Sequence, residues 1–310
     1  MSVLPAEERP LAAPEEPVET RGARARELWE DFTASPVAVV AALVILAMLA
    51  LAFGASWVAP QDPYDTASLV LMDAFLRPGE VGSGGYTHLL GTDNAGRDML
   101  SAILYGLRTS FVIGLTAGAL ALLVGVTVGL VAAYAGGRIE ALLMRIVDLQ
   151  LSMPAILLAL VMVAVLGQGI GQIILALVVA QYAYFARTTH GAATVERRKD
   201  YVEAARSVPL PAGRVLRRHL LPNVLTPLIV VATVQVASAI ALEATLSFLG
   251  VGLPLTEPSL GSLIANGFKY IHAKRFWLSI YPGLALMMLV VAINLVGDQV
   301  RTILDPRGRR

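Results

Sequence analysis

LQLSMPAILLALVMVAVLGQGIGQIILALVVAQYAYFA, residues 149–186, has no Asp, Glu, Lys or Arg over 38 consecutive positions. As one helix it would run about 57 Å at a ~1.5 Å rise per residue, nearly twice the ~30 Å hydrocarbon core of a bilayer. It must double back. The place is Gly167-Gln168-Gly169-Ile170-Gly171-Gln172, whose glycines favour a turn over a helix interior. Working outward, residues 32–61, 109–137, 220–242 and 276–297 are free of the same charged residues. Each reaches the ~20 residues a span needs. The pattern predicts six membrane helices, at 37–58, 109–135, 142–166, 171–190, 223–250 and 278–298.

Composition agrees with this. The chain is 56% hydrophobic and 15% charged, against about 25% charge in a soluble domain, which excludes a water-soluble globule. A net charge of +1 gives no footing for nucleic acid, and the absence of cysteine removes disulfides, thiolate metal sites and a cysteine nucleophile. His88, His190, His219 and His272 are scattered without ligand spacing, so no metal site is expected. What remains is an all-α polytopic membrane protein.

Lys and Arg concentrate on the cytoplasmic side of membrane proteins. With a cytoplasmic N-terminus, 18 of the 24 basic residues fall on that side. The other side keeps Arg77, Arg97, Arg108, Lys269, Lys274 and Arg275. Both termini are then cytoplasmic. Residues 1–36 read as a largely disordered leader, rich in Pro, Glu and Arg, without the layout of a cleavable signal peptide. Residues 37–58 form the first span, an uncleaved anchor, and 59–108 an external segment. The end of that segment is expected to be an interfacial helix with Asp93, Arg97 and Asp98 toward water. A core at 109–298 and a tail at 299–310 complete the division.

Within the core, Gly114, Gly118, Gly125 and Gly129 fall within roughly a 60° arc at about 100° per residue. Such a stripe lets another backbone approach closely, either inside this chain or on a partner. Glu243 lies between Leu242 and Ala244, deep in an apolar stretch. An ionisable group there costs about 2.5–3.5 kcal/mol on insertion scales, so it must be neutral, paired or facing water. A buried hydrogen bond and a pathway role are equally open. Asp148 has Arg145 three residues earlier as a same-face partner, and Pro154 should bend that helix. The loop HGAATVERRKDYVEAARSVPLPAGRVLRRHLLPN, residues 190–223, is basic, amphipathic and too long for a tight turn. A short helix around Tyr201–Ser207 would let a partner surface approach at Ala204 and Ala205, and Pro209 and Pro211 stop it.

Glu203-Ala204-Ala205, followed nineteen residues after Glu203 by Pro222 of Leu221-Pro222, resembles the EAA loop of ABC-transporter permeases. Further resemblance, to the C-type subunit of the dipeptide/oligopeptide/nickel branch, comes from GTDNAGRDMLSAILYGLRTSF at 91–111, MRIVDLQLSMPAILLAL at 144–160, EATLSFLGVG at 243–252 and NLVGDQVRTILDPR at 294–307. It covers about residues 27–307. The resemblance implies a type I ABC permease fold with a cytoplasmic coupling helix in the loop 191–222, sited in a bacterial inner membrane. It also implies a heterodimer with a homologous second permease, two cytoplasmic ATP-binding subunits and an extracytoplasmic substrate-binding protein. Tyr201, Glu203, Ala204, Ala205, Arg206 and Pro209 then match the segment that docks on an ATPase subunit. Asp148 and Glu243 match acidic positions of the branch, and Asp93, Gly96, Arg97 and Asp98 its external motif. Two positions depart: Pro209 stands where the family usually has Gly, and Leu260 where it commonly has Trp.

The expected function is import of di- or oligopeptides or similar solutes, with nickel chelates or glutathione as alternative cargo. A P-loop needs Gly-Lys-Ser/Thr, and Lys199, Lys269 and Lys274 all lack a preceding glycine. No cofactor is therefore expected on this chain, and ATP with Mg belongs to the partner subunits. Glu243 motivates the competing class, a proton-coupled secondary carrier. An intramembrane enzyme has no support, since HExxH and a nucleophile arrangement are both missing from the sequence.

Overall fold

The computed structural model describes residues 21–65, 69–199, 212–216, 220–254 and 257–304. Helices α1 (Arg21–Thr33) and α2 (Pro36–Phe53) meet at Ser35, whose hydroxyl accepts the Ala38 amide at 3.4 Å. Pro36 fills the first helical turn, where its missing N–H costs nothing. Residues 21–33 were expected to be disordered. They are helical because Leu28, Trp29 and Phe32 share an apolar groove with Val300, Ile303 and Leu304, and the Gln299 amide donates to the Asp31 carbonyl. Gly54 then separates α2 from a one-turn α3 (Ala55–Val58), where a single helix over 37–58 was expected.

Residues 71–73 form a 3-10 turn, and β1 (Glu80–Val81) pairs antiparallel with β2 (Thr87–His88), Glu80 opposite His88. The next helix, α4 (Met99–Ala135), is 37 residues long, about 55 Å at ~1.5 Å per residue. The expected interfacial helix is therefore the beginning of this span. Its first turns are covered by protein, with Met99, Ala102, Ile103, Leu104 and Leu107 buried.

The expected helix 142–166 is two helices, α5 (Gly137–Leu151) and α6 (Ala155–Leu166), bent by 92°. Pro154 has no N–H to continue the ladder, and its ring clashes one turn back. Neither piece reaches the ~20 residues of a complete span, and only taken together are they long and apolar enough for one crossing. The turn into α7 (Ile170–Arg197) is where the glycines placed it. Gly167 and Gly169 have φ of +85° and +144°, conformations that favour glycine. Short α8 (Ala212–Val215) precedes α9 (Leu221–Phe248), α10 (Leu260–Phe268) and α11 (Trp277–Leu304). Helices α2, α4, α7, α9 and α11 are each long and apolar enough to cross a membrane, and the bent α5–α6 pair makes six.

Central α4 organises the bundle. Ile113 and Ala117 pack with Ala159, Ile173 and Leu177. Phe111 packs with Met48, Ile240, Leu260 and Leu289. Leu130 packs with Phe185, Leu220 and Val224.

Candidate functional site

At the Met99 end of α4, Asp98 caps the helix. Its carboxylate accepts from the Ser101 amide at 2.8 Å and hydroxyl at 2.7 Å, and its other oxygen meets His88 Nδ1 at 2.9 Å. The Asp98 amide donates to Gln61. Asp98 thus ties two parts of the segment 59–98, at Gln61 through its amide and at His88 through its carboxylate, to the first turn of the span. Asp93, Arg97 and Asp98 were expected to face water. All three are buried. Asp93 accepts from the Ala95 and Arg97 amides at 2.8 and 2.9 Å, closing the turn at Gly96 (φ +78°). Burial pushes the Asp93 carboxyl above its ordinary value, against those two amides. Asp73 goes the other way. The Ser83 hydroxyl and amide donate to it at 2.5 and 2.9 Å and hold its carboxyl low despite burial. Arg275 lies 4.1 Å over the Phe75 ring and donates to the Phe75 carbonyl.

Glu243 is fully buried. Its carboxyl accepts from Ser247 at 2.8 Å and from Ser110 of α4 at 3.3 Å. It joins α9 to α4 rather than lining a large opening, and no sequence spacing links residue 243 to residue 110.

The four glycines divide between two neighbours. A methyl at Gly114 or Gly118 would meet Ile240 or Val236 of α9. One at Gly125 would lie 2.5 Å from the Tyr182 carbonyl oxygen of α7, and one at Gly129 2.6 Å from that of Ala186. The seam therefore lies inside this chain.

Asp148 pairs with Arg187 of α7, not with Arg145. Both side chains are about half exposed (46% and 47%). Arg187 lines an open cleft of about 1030 Å³ between α5, α7, α9 and α11, together with Tyr184, Thr188, Thr226, Gln235 and Arg301. A second cleft of about 700 Å³, lined by Leu115, Leu123, Leu225, Ile229 and neighbours, is almost wholly apolar and suits lipid tails or another apolar helix.

The cleft's walls lead to the loop 191–222. Helix α7 ends at Arg197, whose guanidinium donates to the Ala133 carbonyl at the end of α4 at 2.5 Å. His190 meets Glu140 of α5 at 2.7 Å. On the far side of the loop, Leu220 and Val224 are buried against α4 and α7. Tyr201, Glu203, Ala204, Ala205, Arg206 and Pro209 lie outside the described residues.

Comparison with known proteins matches residues 125–310 to the family model described as binding-protein-dependent transport system inner membrane component. Residues 24–78 match the N-terminal TM domain of oligopeptide transport permease C. Among similar proteins, the di/tripeptide transport system permease protein DppC of Pseudomonas aeruginosa is 37% identical, covering 91% of this chain and 92% of that one. A putative peptide transport system permease protein of Brucella suis is 44% identical, covering 72% and 75%. The dipeptide permease DppC of Escherichia coli K12 is 38% identical, covering 91% and 93%. In fold, the chain resembles the inward-facing MetNI methionine ABC transporter, with a TM-score of 0.53 and 22% identity over 66% of this chain and 97% of that one. Six apolar crossings, an intramolecular glycine seam and a cleft that leads to a loop between two spans fit these matches. The chain belongs to the binding-protein-dependent transport system inner membrane components, the multi-pass permeases of ABC importers.

Proposed function

We propose that this chain is the permease half of a peptide importer, paired with a homologous permease and driven by two ATP-binding subunits that dock at Glu203, Ala204 and Ala205. The observation that carries the reading is similarity along 91% of the chain to a permease named for di- and tripeptides. The cleft beside Arg187 supports it, since its ~1030 Å³ and mixed lining suit a small peptide. Both termini and the loop 191–222 face the cytoplasm on charge grounds, so residues 59–98 face the delivering protein. ATP closes the ATPase pair and the loop moves with it. The helices then rearrange to expose the pathway to the loaded binding protein, and hydrolysis returns it to the inward-facing state. The chain itself binds neither ATP nor Mg and changes no covalent bond in the cargo.

The test is uptake of dialanine and trialanine by the assembled complex in vesicles. The expected result is uptake that requires ATP and the binding protein. Uptake driven by a proton gradient without ATP would overturn the reading, as would import confined to nickel chelates or glutathione.

A further inference from the structure

Inside the polar cleft, one ion pair spans two helices. Arg187 of α7 holds Asp148 of α5, at the rim where Leu151 ends α5. Half-exposed pairs of this kind contribute little to stability, so a competing carboxylate can displace Asp148 at small net cost. One further feature gives the cleft its sign of charge. Arg301 lines it on the last turn of α11 and makes no ion pair with any described residue. With Arg187 and Asp148 cancelling, one positive charge remains.

Deeper in the cleft, Gln235 is 94% buried (6% exposed), and its amide nitrogen has no hydrogen-bond partner among the described residues. A buried donor left unmade is costly, and at the same level Gln181, which touches Gln235, has its side-chain oxygen equally without a partner among the described residues. The spacing fixes what fits. Gln181 donates to the Gln235 carbonyl, which puts the two at one level, and Arg187 lies six residues further along α7. Six residues of helix are about 9 Å, which an extended tripeptide covers at ~3.3–3.6 Å per residue.

We propose that Arg187 is the subsite for the C-terminal carboxylate of the passing peptide, and that Asp148 fills it as an internal carboxylate when cargo is absent. The peptide's polar backbone then reaches Gln235, and Arg301 draws the carboxylate toward the cytoplasmic mouth. Arginine suits this role because its planar fork binds carboxylates in a fixed geometry. The exchange of one carboxylate for another leaves Arg187 paired throughout, so cargo is passed on and not trapped. This inference rests on the peptide-import reading above.

The test compares ATP-driven uptake of trialanine with that of trialanine amide, which lacks the carboxylate, each over a range of concentrations of loaded binding protein. Arg187→Gln is expected to lower the trialanine-to-amide ratio about tenfold, the scale of a lost charge-assisted hydrogen bond. Asp148→Asn removes the internal competitor and is expected to move the half-saturation of trialanine, not of the amide, to lower concentration. A merely structural pair would change both substrates together. A complex that imports trialanine normally but shows no change of ratio or half-saturation in either variant overturns the subsite alone. A complex that imports no trialanine before any substitution overturns the peptide reading and the subsite with it.

Discussion

Asp73 and Asp93 sit a few residues apart in space yet respond to acid in opposite senses. Asp73 is held below its ordinary value of 3.8 by the Ser83 hydroxyl, with burial opposing. Its contribution to the fold is therefore full above that value and lost as pH falls through the folded one. Asp93 is raised by burial. Its contribution is full below the ordinary value and lost as pH rises through the folded one. Replacing Ser83 by Ala removes only the first effect. The variant should exchange amide hydrogens faster than the unsubstituted protein across residues 80–88 at about pH 6, and the gap should narrow progressively as pH falls below the ordinary value of 3.8. Rate-corrected hydrogen exchange measures this, and a gap that stays constant across that range would show that Ser83 does not act through Asp73. None of this was legible in the sequence. Asp93, Arg97 and Asp98 lie among polar residues and read as a water-facing edge, whereas backbone amides and His88 satisfy the two carboxylates inside protein. Arg145 was likewise the obvious partner of Asp148 by local spacing. The observed partner, Arg187, is brought there by packing between helices, which no local spacing reports.

Breaks within elements were more readable than their directions. Gly167 and Gly169 marked a turn because only glycine tolerates their backbone angles, and Pro154 marked a bend because it removes a ladder bond. The 92° angle and the continuity of α4 through residue 99 depend on what covers those helices, and a single sequence carries no such signal. The glycine stripe shows the same division. Its arc predicted a close approach but not that the stripe changes partner half-way, from α9 to α7. This gives the two halves different tolerance. At Gly125 an added methyl would meet the Tyr182 carbonyl oxygen and the Phe185 Cβ, both at 2.5 Å. Backbone can move there only if α4 and α7 separate. At Gly118 it meets one methyl of Val236 at 2.9 Å, which a rotamer change relieves. Gly125→Ala should therefore cost about 1–3 kcal/mol of overpacking and Gly118→Ala clearly less. Thermal unfolding of the detergent-solubilised protein ranks them, and an equal or reversed loss would refute a rigid α4–α7 seam.

Across the whole molecule, the cleft and the loop 191–222 share their supports. Helix α7 runs from the turn at Gly169 past Arg187 to Arg197 at one foot of the loop. Helix α9 starts at the other foot and carries Thr226 and Gln235 on the cleft wall. Arg197 is fastened to the end of α4 through the Ala133 carbonyl, and Leu220 is buried beside α4 and α7. A force applied between residues 200 and 211 would therefore enter the bundle on both walls of the cleft at once, beside α4, which Arg197 and Leu220 both touch. Ala204 and Ala205 have the smallest side chains that an α-helix favours, which suits a segment seated in a groove of another protein. Ala205→Arg should therefore leave membrane insertion and the amount of assembled permease unchanged while abolishing the stimulation of ATP hydrolysis by loaded binding protein. Basal hydrolysis by the ATP-binding subunits should persist, because their nucleotide site is elsewhere. Stimulated hydrolysis by the substituted complex at the unsubstituted rate would show that force enters by another route. Loss of the permease from the membrane would assign Ala205 to this chain's own folding and remove it from the docking surface.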